Sequence, residues 1–405
     1  MHPDKSGILL GLRYTPDGSH IVAGHHASGV VQIWDANSGR QLRSIETGPG
    51  SPTYNDFLQL SPDGKFLYAA RGFIRTWSTK KDGKRLGHWN FSGDVKAWDL
   101  STGKLRFTIG HPAPRGIYLM RLSPDGSKLL TFEGVSGEYD KRPEDFRVLW
   151  DAKSGRRLSV LPEARMASFS PDGKTLVTDE ENDQYETKAL RFIDATTGRV
   201  RRSVSLNGEH LRGSYKVYSP DGKLLASTLR QGAAGAVHLM LWDAETGREV
   251  ASFVVQKTPY HEPLFSPDGR RLVLVNWGVG PRKLLLIDVA KRQVLKTLDF
   301  GEKGVLRQPV FSPDGKWIAA IFQEVPDRVP DAKLQDVVSL PQPRIHLIEA
   351  ATGEIRETLV APPGIAVSLC FSPDGKTLAS GGDGRVLLWD MAKTPGAWAD
   401  TRKER

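Results

Sequence analysis

Phe371-Ser372-Pro373-Asp374-Gly375-Lys376-Thr377-Leu378-Ala379-Ser380, then Gly381-Gly382-Asp383-Gly384, then Arg385-Val386-Leu387-Leu388-Trp389-Asp390, is the stretch on which the reading of the chain turns. Ser-Pro-Asp-Gly is a reversal: proline presets φ, aspartate bonds nearby backbone, and glycine takes the left-handed conformation that closes the turn. Lys376 to Ser380 alternates polar and apolar residues, Gly-Gly-Asp-Gly is a second reversal, and Val386 to Trp389 is an apolar run of strand length. Three antiparallel strands follow.

The same phrase recurs. Pro-Asp-Gly stands at Pro16, Pro62, Pro124, Pro171, Pro220, Pro267, Pro313 and Pro373, eight copies spaced mostly by 46 to 49 residues. Each is followed by an apolar strand ending in an acid: Trp34-Asp35, Trp98-Asp99, Trp150-Asp151, Ile193-Asp194, Trp242-Asp243, Ile287-Asp288, Ile348-Glu349 and Trp389-Asp390. In six copies Ser or Thr and then Gly follow three and four residues after the acid, as in Asp243-Ala244-Glu245-Thr246-Gly247; the copies at Asp288 and Asp390 lack this ending. A fourth strand follows the acidic turn, as at Leu105 to Ile109 and Val250 to Val255.

These eight copies resemble the WD-repeat family of β-propellers over essentially all of residues 8 to 390. The family's Gly-His before the innermost strand is matched only at Gly110-His111, and in this the chain resembles the looser bacterial type of repeat. The resemblance implies an all-β fold, a single eight-bladed β-propeller of four-stranded antiparallel blades over residues 1–405, with seven blades plus an irregular unit as the alternative. After Asp390 the chain offers residues 398–402 as a ragged fourth strand for the last blade.

Composition sets bounds. Forty-one glycines in 405 residues suit a structure made of turns, and no run of eighteen apolar residues occurs to span a membrane. The polar start and the single cysteine, Cys370, point to a reducing cytoplasm and exclude an internal disulfide. A net charge of +9 is spread over eight repeats without a basic block, so nucleic acid is a weak expectation.

Spacing locates the variation. From the glycine of Pro-Asp-Gly to the acid closing the third strand the count runs from 15 to 35, whereas from that acid to the next Pro-Asp-Gly aspartate it stays between 21 and 28. Insertions therefore lie between second and third strands, at the end of each blade opposite the two recurrent turns. Binding residues concentrate on such loops.

The largest insertion, residues 71–93, holds Arg75, Trp77, Lys80, Lys81, Arg85, His88 and Trp89; its six basic residues against Asp82 give +5. Aromatics among cations suit an acidic partner surface or a polyanion, the plainer alternative being a hairpin folded on itself with solvated lysines. Trp277, in the loop of the sixth copy, is a further contact candidate on the same face. The third and fourth copies carry an acidic arc, Glu133, Glu138, Asp140, Glu144 and Asp145 and then Asp179, Glu180, Glu181, Asp183 and Glu186; the stretch Asp179 to Glu186 lacks the spacing of a calcium loop and reads as a solvated acidic loop. The seventh copy carries a second long insertion, residues 323–343, with helix-compatible spacing at residues 331–340.

No nucleophile elbow, phosphate-cradling loop or metal-ligand spacing occurs, and no cofactor is expected. The leading expectation is a non-catalytic scaffold that binds a protein partner through the inserted face, as a monomer or a module of a larger assembly. Two alternatives stand beside it. One is a propeller enzyme, lactonase-like hydrolase or quinoprotein-like oxidoreductase, with a channel-mouth site; the other is a polyanion or nucleic-acid binder.

Overall fold

The computed structural model describes residues 9–25, 29–47, 58–70, 74–79, 85–90, 93–110, 115–135, 137–138, 146–161, 166–182, 186–206, 211–231, 237–256, 263–276, 282–307, 309–324, 341–362, 368–382, 384–392 and 403–404. All elements among them are strands joined by turns, arranged as eight antiparallel blades, the fold of an eight-bladed β-propeller. Blades are numbered in chain order.

The last blade shows how sequence becomes structure. Ser368–Phe371 pairs with Thr377–Gly382, which pairs with Arg385–Asp390. Ser372 Oγ donates to Asp374 Oδ1 at 2.6 Å and accepts the Thr377 N–H at 2.9 Å, while Asp374 Oδ1 accepts the Lys376 N–H at 3.0 Å. Gly375 takes φ 71° and its N–H bonds the Ser372 carbonyl. The hydroxyl of Ser372 and the neighbouring N–H groups hold the Asp374 carboxyl below its usual range. Among the described residues the fourth strand is Lys403–Glu404, paired with Leu388 and Leu387; residues 398–402, expected to pair there, lie outside the described residues. Too few alternating apolar positions exist there for the sequence to mark the register.

The acidic turn is as regular. Asp243 Oδ1 accepts both the N–H and the hydroxyl of Thr246 at 2.7 Å, and Gly247 follows at φ 73°. Blade 6, which lacks the glycine, puts Arg292 into the same left-handed position at φ 55°. The residue after the acid donates across to the first turn of its own blade: Ala244 N–H to Lys223 O at 2.8 Å, and Met391 N–H to Lys376 O at 2.7 Å. Both turns of a blade thus lie at one end, as the alternation of antiparallel strands requires.

Burial follows strand order. Second strands are buried nearly throughout, as in Trp317–Gln323, whereas fourth strands such as Gln293–Asp299 are mostly exposed. Successive blades interlock at the turns: a Cβ on Gly126 would lie 2.6 Å from Pro62 Cδ, and one on Gly375 would lie 3.5 Å from Pro313 Cδ. The Tyr68 phenol reaches from blade 2 to the Ala152 carbonyl of blade 3 at 2.8 Å, and burial pushes its pKa up to about 12.

By internal contacts the chain forms two compact units, and the residues of blade 4 divide between them. The first comprises residues 1–165, 172–176 and 192–202; its apolar clusters join Leu67 to Trp98 and Tyr68 to Trp150. The second comprises residues 166–171, 177–191 and 203–405, with clusters around Leu272, Ile318 and Trp389.

A simple rule governs the core tryptophans. Trp150, Trp242 and Trp389 donate their indole N–H to Thr131, Ser227 and Ser380 at 2.8, 2.8 and 3.0 Å. Each hydroxyl lies five residues after the turn glycine; at that position blades 1 and 2 carry Ala23 and Ala69.

Candidate functional site

The turn end of each blade consumes its own polar groups. A serine or threonine hydroxyl donates to the turn aspartate in seven blades, and in blade 4 Asp172 accepts the Lys174 N–H, leaving little to distinguish one blade from the next. The opposite end carries what differs.

In blade 2 the difference is a hairpin. Ile74–Thr79 pairs with Arg85–Asn90 in the register Arg75↔Trp89, Thr76↔His88, Trp77↔Gly87 and Thr79↔Arg85. Paired residues share a sheet face, so Arg75, Trp77, Arg85 and Trp89 hold register positions of one face and His88 of the other. Lys80, Lys81 and Trp277 lie outside the described residues. The sequence did not indicate a third strand: Gly137–Glu138, from the blade 3 insertion, pairs with the hairpin as Gly137↔Trp89 and Glu138↔His88. A stretch from the acidic arc thereby becomes part of the basic platform.

Among the described residues, Asp179, Glu180 and Glu186 depart from a solvated loop. Asp179 is 1% exposed, and its carboxylate lies 2.5 Å from Lys216 Nζ, both side chains wholly buried. The pair ties the second strand of blade 4 to the first strand of blade 5, and Ser168 Oγ donates to the Lys216 carbonyl beside it. Glu133 is likewise buried, accepting from the Thr131 hydroxyl at 2.8 Å in the chain that leads to Trp150. Glu180 pairs with Arg191 at 3.0 Å and Glu186 with Lys188 at 2.9 Å. The acids closest to the strands are neutralised because burial of an unpaired carboxylate is costly.

Blade 7 carries a cleft of about 340 Å³ at its inserted end. Phe322 and Val360 give it an apolar lining, and Glu324, Gln342 and Arg344 are exposed around it. On the same sheet face one row deeper, His346 Nδ1 lies 3.0 Å from Thr358 Oγ1, and the ring packs 5.1 Å from Phe300. Burial and the nearby Arg344 charge lower the His346 pKa to about 4, so the imidazole is neutral at pH 7. Residues 325–340, the body of this insertion, lie outside the described residues. Among the described residues no group of three or more His, Cys, Asp or Glu is placed to hold a metal ion.

The description "WD domain, G-beta repeat" matches residues 354–390, from the fourth strand of blade 7 through the third of blade 8. Rat apoptotic protease-activating factor 1 is 24% identical over 274 residues, 65% of this chain and 18% of that protein. Cell division cycle 20.1, cofactor of APC complex, from Arabidopsis thaliana is 24% identical over 292 residues, 64% of this chain and 60% of that protein. Hydrazine synthase subunit beta of Kuenenia stuttgartiensis is 28% identical over 179 residues, 40% of this chain and 46% of that protein. The chain therefore spans less than two thirds of the length of each of these relatives. Eight turn-and-acid repeats folded as eight four-stranded blades, with the repeat itself matched across the last two of them, support the WD-repeat family of β-propellers.

Proposed function

We propose that the chain is a non-catalytic, cytoplasmic interaction scaffold that binds a protein partner through the end of the blades carrying the second-to-third-strand insertions, with Arg75, Trp77, Lys80, Lys81, Arg85, His88, Trp89 and Trp277 as the contact set. The single observation behind this reading is the contrast between the two ends. One end is eightfold repetitive and hydrogen-bonded within itself, and a surface that says the same thing eight times discriminates poorly between partners. At their opposite ends blades 2 and 3 carry the three-stranded platform, and blade 7, in the other unit, carries its cleft. Two of the relatives act, by their names, on or within protein machinery: one activates a protease and one is a cofactor of a complex.

The test begins with cross-linking in the native cell to identify a partner, followed by reconstitution from purified components. Replacing residues 74–92 by a short glycine-containing turn abolishes binding while the melting temperature of the blades is kept. A partner that binds the shortened chain with unchanged affinity, or cross-links confined to the turn end, would remove this face from the account. The similarity to a hydrazine synthase subunit motivates a parallel assay for turnover, in which a reaction supported by the purified chain alone would replace the scaffold reading.

A further inference from the structure

The platform of blades 2 and 3 is a small sheet with an order of its own: Gly137–Glu138, then Arg85–Asn90, then Ile74–Thr79. Ile74–Thr79 is the edge, and no strand among the described residues pairs with its outer side. The strand at the other edge comes from the acid-rich stretch 136–145, with Glu138, Asp140, Glu144 and Asp145 against Lys141 and Arg142, and it pairs with a hairpin whose residues 74–90 carry a charge of +4. The molecule thus already seats Gly137–Glu138, from an acid-rich stretch of sequence, against this basic hairpin, in register and through backbone pairing.

We propose that the free edge, Ile74–Thr79, accepts a second acidic segment from a partner protein by strand addition. This deepens the scaffold reading and rests on it. Unpaired N–H and C=O groups along an edge supply the attachment, and they are indifferent to sequence. Selectivity comes from register. A strand laid on this edge alternates its residues against Arg75, Trp77 and Thr79 on one face, so an acid falls opposite Arg75 and a branched or apolar residue next to it along that face meets the Trp77 position. The segment is therefore an extended acidic peptide with alternating β-branched residues. Proline at its pairing positions excludes it, because proline removes a donor.

The probe is a fluorescein-labelled, acetylated octapeptide of sequence Glu-Glu-Val-Thr-Glu-Glu-Val-Thr, in which each face alternates an acid with a β-branched residue, titrated with the full chain by fluorescence anisotropy. Three comparison peptides carry lysine for glutamate, or N-methyl groups on alternate backbone nitrogens in either of the two registers. The acidic peptide binds; the lysine peptide and one of the two N-methylated peptides bind at least about tenfold more weakly, because one loses charge complementarity and the other its ladder. Hydrogen exchange slows over residues 74–79 on peptide addition and is unchanged over 85–90. Arg75→Glu weakens the acidic peptide and strengthens the lysine peptide.

Absence of binding, equal binding of both N-methylated peptides, or no protection over residues 74–79 each overturns strand addition. The N-methyl comparison uses the native chain, so it decides the matter even if Arg75→Glu fails to fold. If the partner found by cross-linking still requires residues 74–92 while the acidic peptide does not bind, the scaffold reading stands and strand addition falls. If the peptide binds and the partner ignores the hairpin, the reverse holds.

Discussion

Replacing Lys216 by methionine keeps most of the side chain's volume and its alkyl stem but removes the charge that faces Asp179. Both side chains are wholly buried and 2.5 Å apart, so the carboxylate left behind has no water to turn to. Breaking a buried pair on one side costs about 3–5 kcal/mol, whereas replacing both members by apolar residues of similar size is often neutral or stabilising. Unfolding entropy of about 2.1 cal/mol/K per residue gives about 0.85 kcal/mol/K for 405 residues. A loss of about 4 kcal/mol then lowers the melting temperature by about 5 °C, if the chain melts in one transition. If it melts in two, only the step belonging to the unit that contains both residues moves, and by more. Scanning calorimetry on Lys216→Met and on Lys216→Met combined with Asp179→Leu reads the effect. The expected order is the double variant within about 1 kcal/mol of the parent and the single variant far below it. A single variant that loses less than about 1 kcal/mol shows that solvent reaches the carboxylate. A double variant no better than the single one shows that packing, not the unpaired charge, caused the loss.

Three further outcomes follow from the same structure. Ser227→Ala strands the buried Trp242 N–H and lowers stability by about 1–3 kcal/mol in denaturant titration; no change would mean another acceptor takes the proton. Arg292→Gly relieves the left-handed strain at φ 55°, against which glycine's greater unfolded freedom must be set, for a net gain of about 0.5–1 kcal/mol; a loss would show that the long Arg292 bond to the Val250 carbonyl matters more than the backbone. His346, whose folded pKa is lowered to about 4 from about 6.5, binds its proton more readily when unfolded, so stability declines as pH falls from about 6.5 toward 4. His346→Phe removes that part of the decline, on the order of 2–3 kcal/mol, and melting curves at pH 7 and 4.5 that shift equally in parent and variant would contradict it.

What the sequence made legible was whatever is local. Ser-Pro-Asp-Gly and Asp-x-x-Thr-Gly are written within five residues, and their hydrogen bonds close within five, so each turn and the strands it joins are found where the motif stands. Leu105 to Ile109 appears with the same bounds in sequence and structure, and Val250 to Val255 is one residue longer at each end. Non-local pairing was invisible. Asp179 reads as one acid in a solvated loop until blade 5 brings Lys216 to it from 37 positions away. Gly137–Glu138 has neither the length nor the alternation of a strand and becomes one only against Arg85–Asn90. The hairpin over residues 74–90 was readable as the plainer alternative to a partner surface, yet its strand register, not its charge, makes one edge available.

The turn glycines carry a consequence for how such a chain can be built and rebuilt. Gly64, Gly126, Gly222, Gly269, Gly315 and Gly375 each abut the proline of the preceding copy, so one motif supplies the socket for its predecessor and the plug for its successor. A unit that carries both halves of its own joint can be copied, lost or exchanged without designing a new contact. The whole-blade transplant is therefore a conservative edit: moving residues 211–256 of this chain, the four strands of blade 5, as a block keeps every turn-to-turn joint in kind. A cut placed mid-blade, leaving the motif count unchanged, breaks strand ladders that no neighbour can supply. Gene duplication in steps of one repeat is the route of growth this joint permits, and insertions between second and third strands are where the copies are free to diverge.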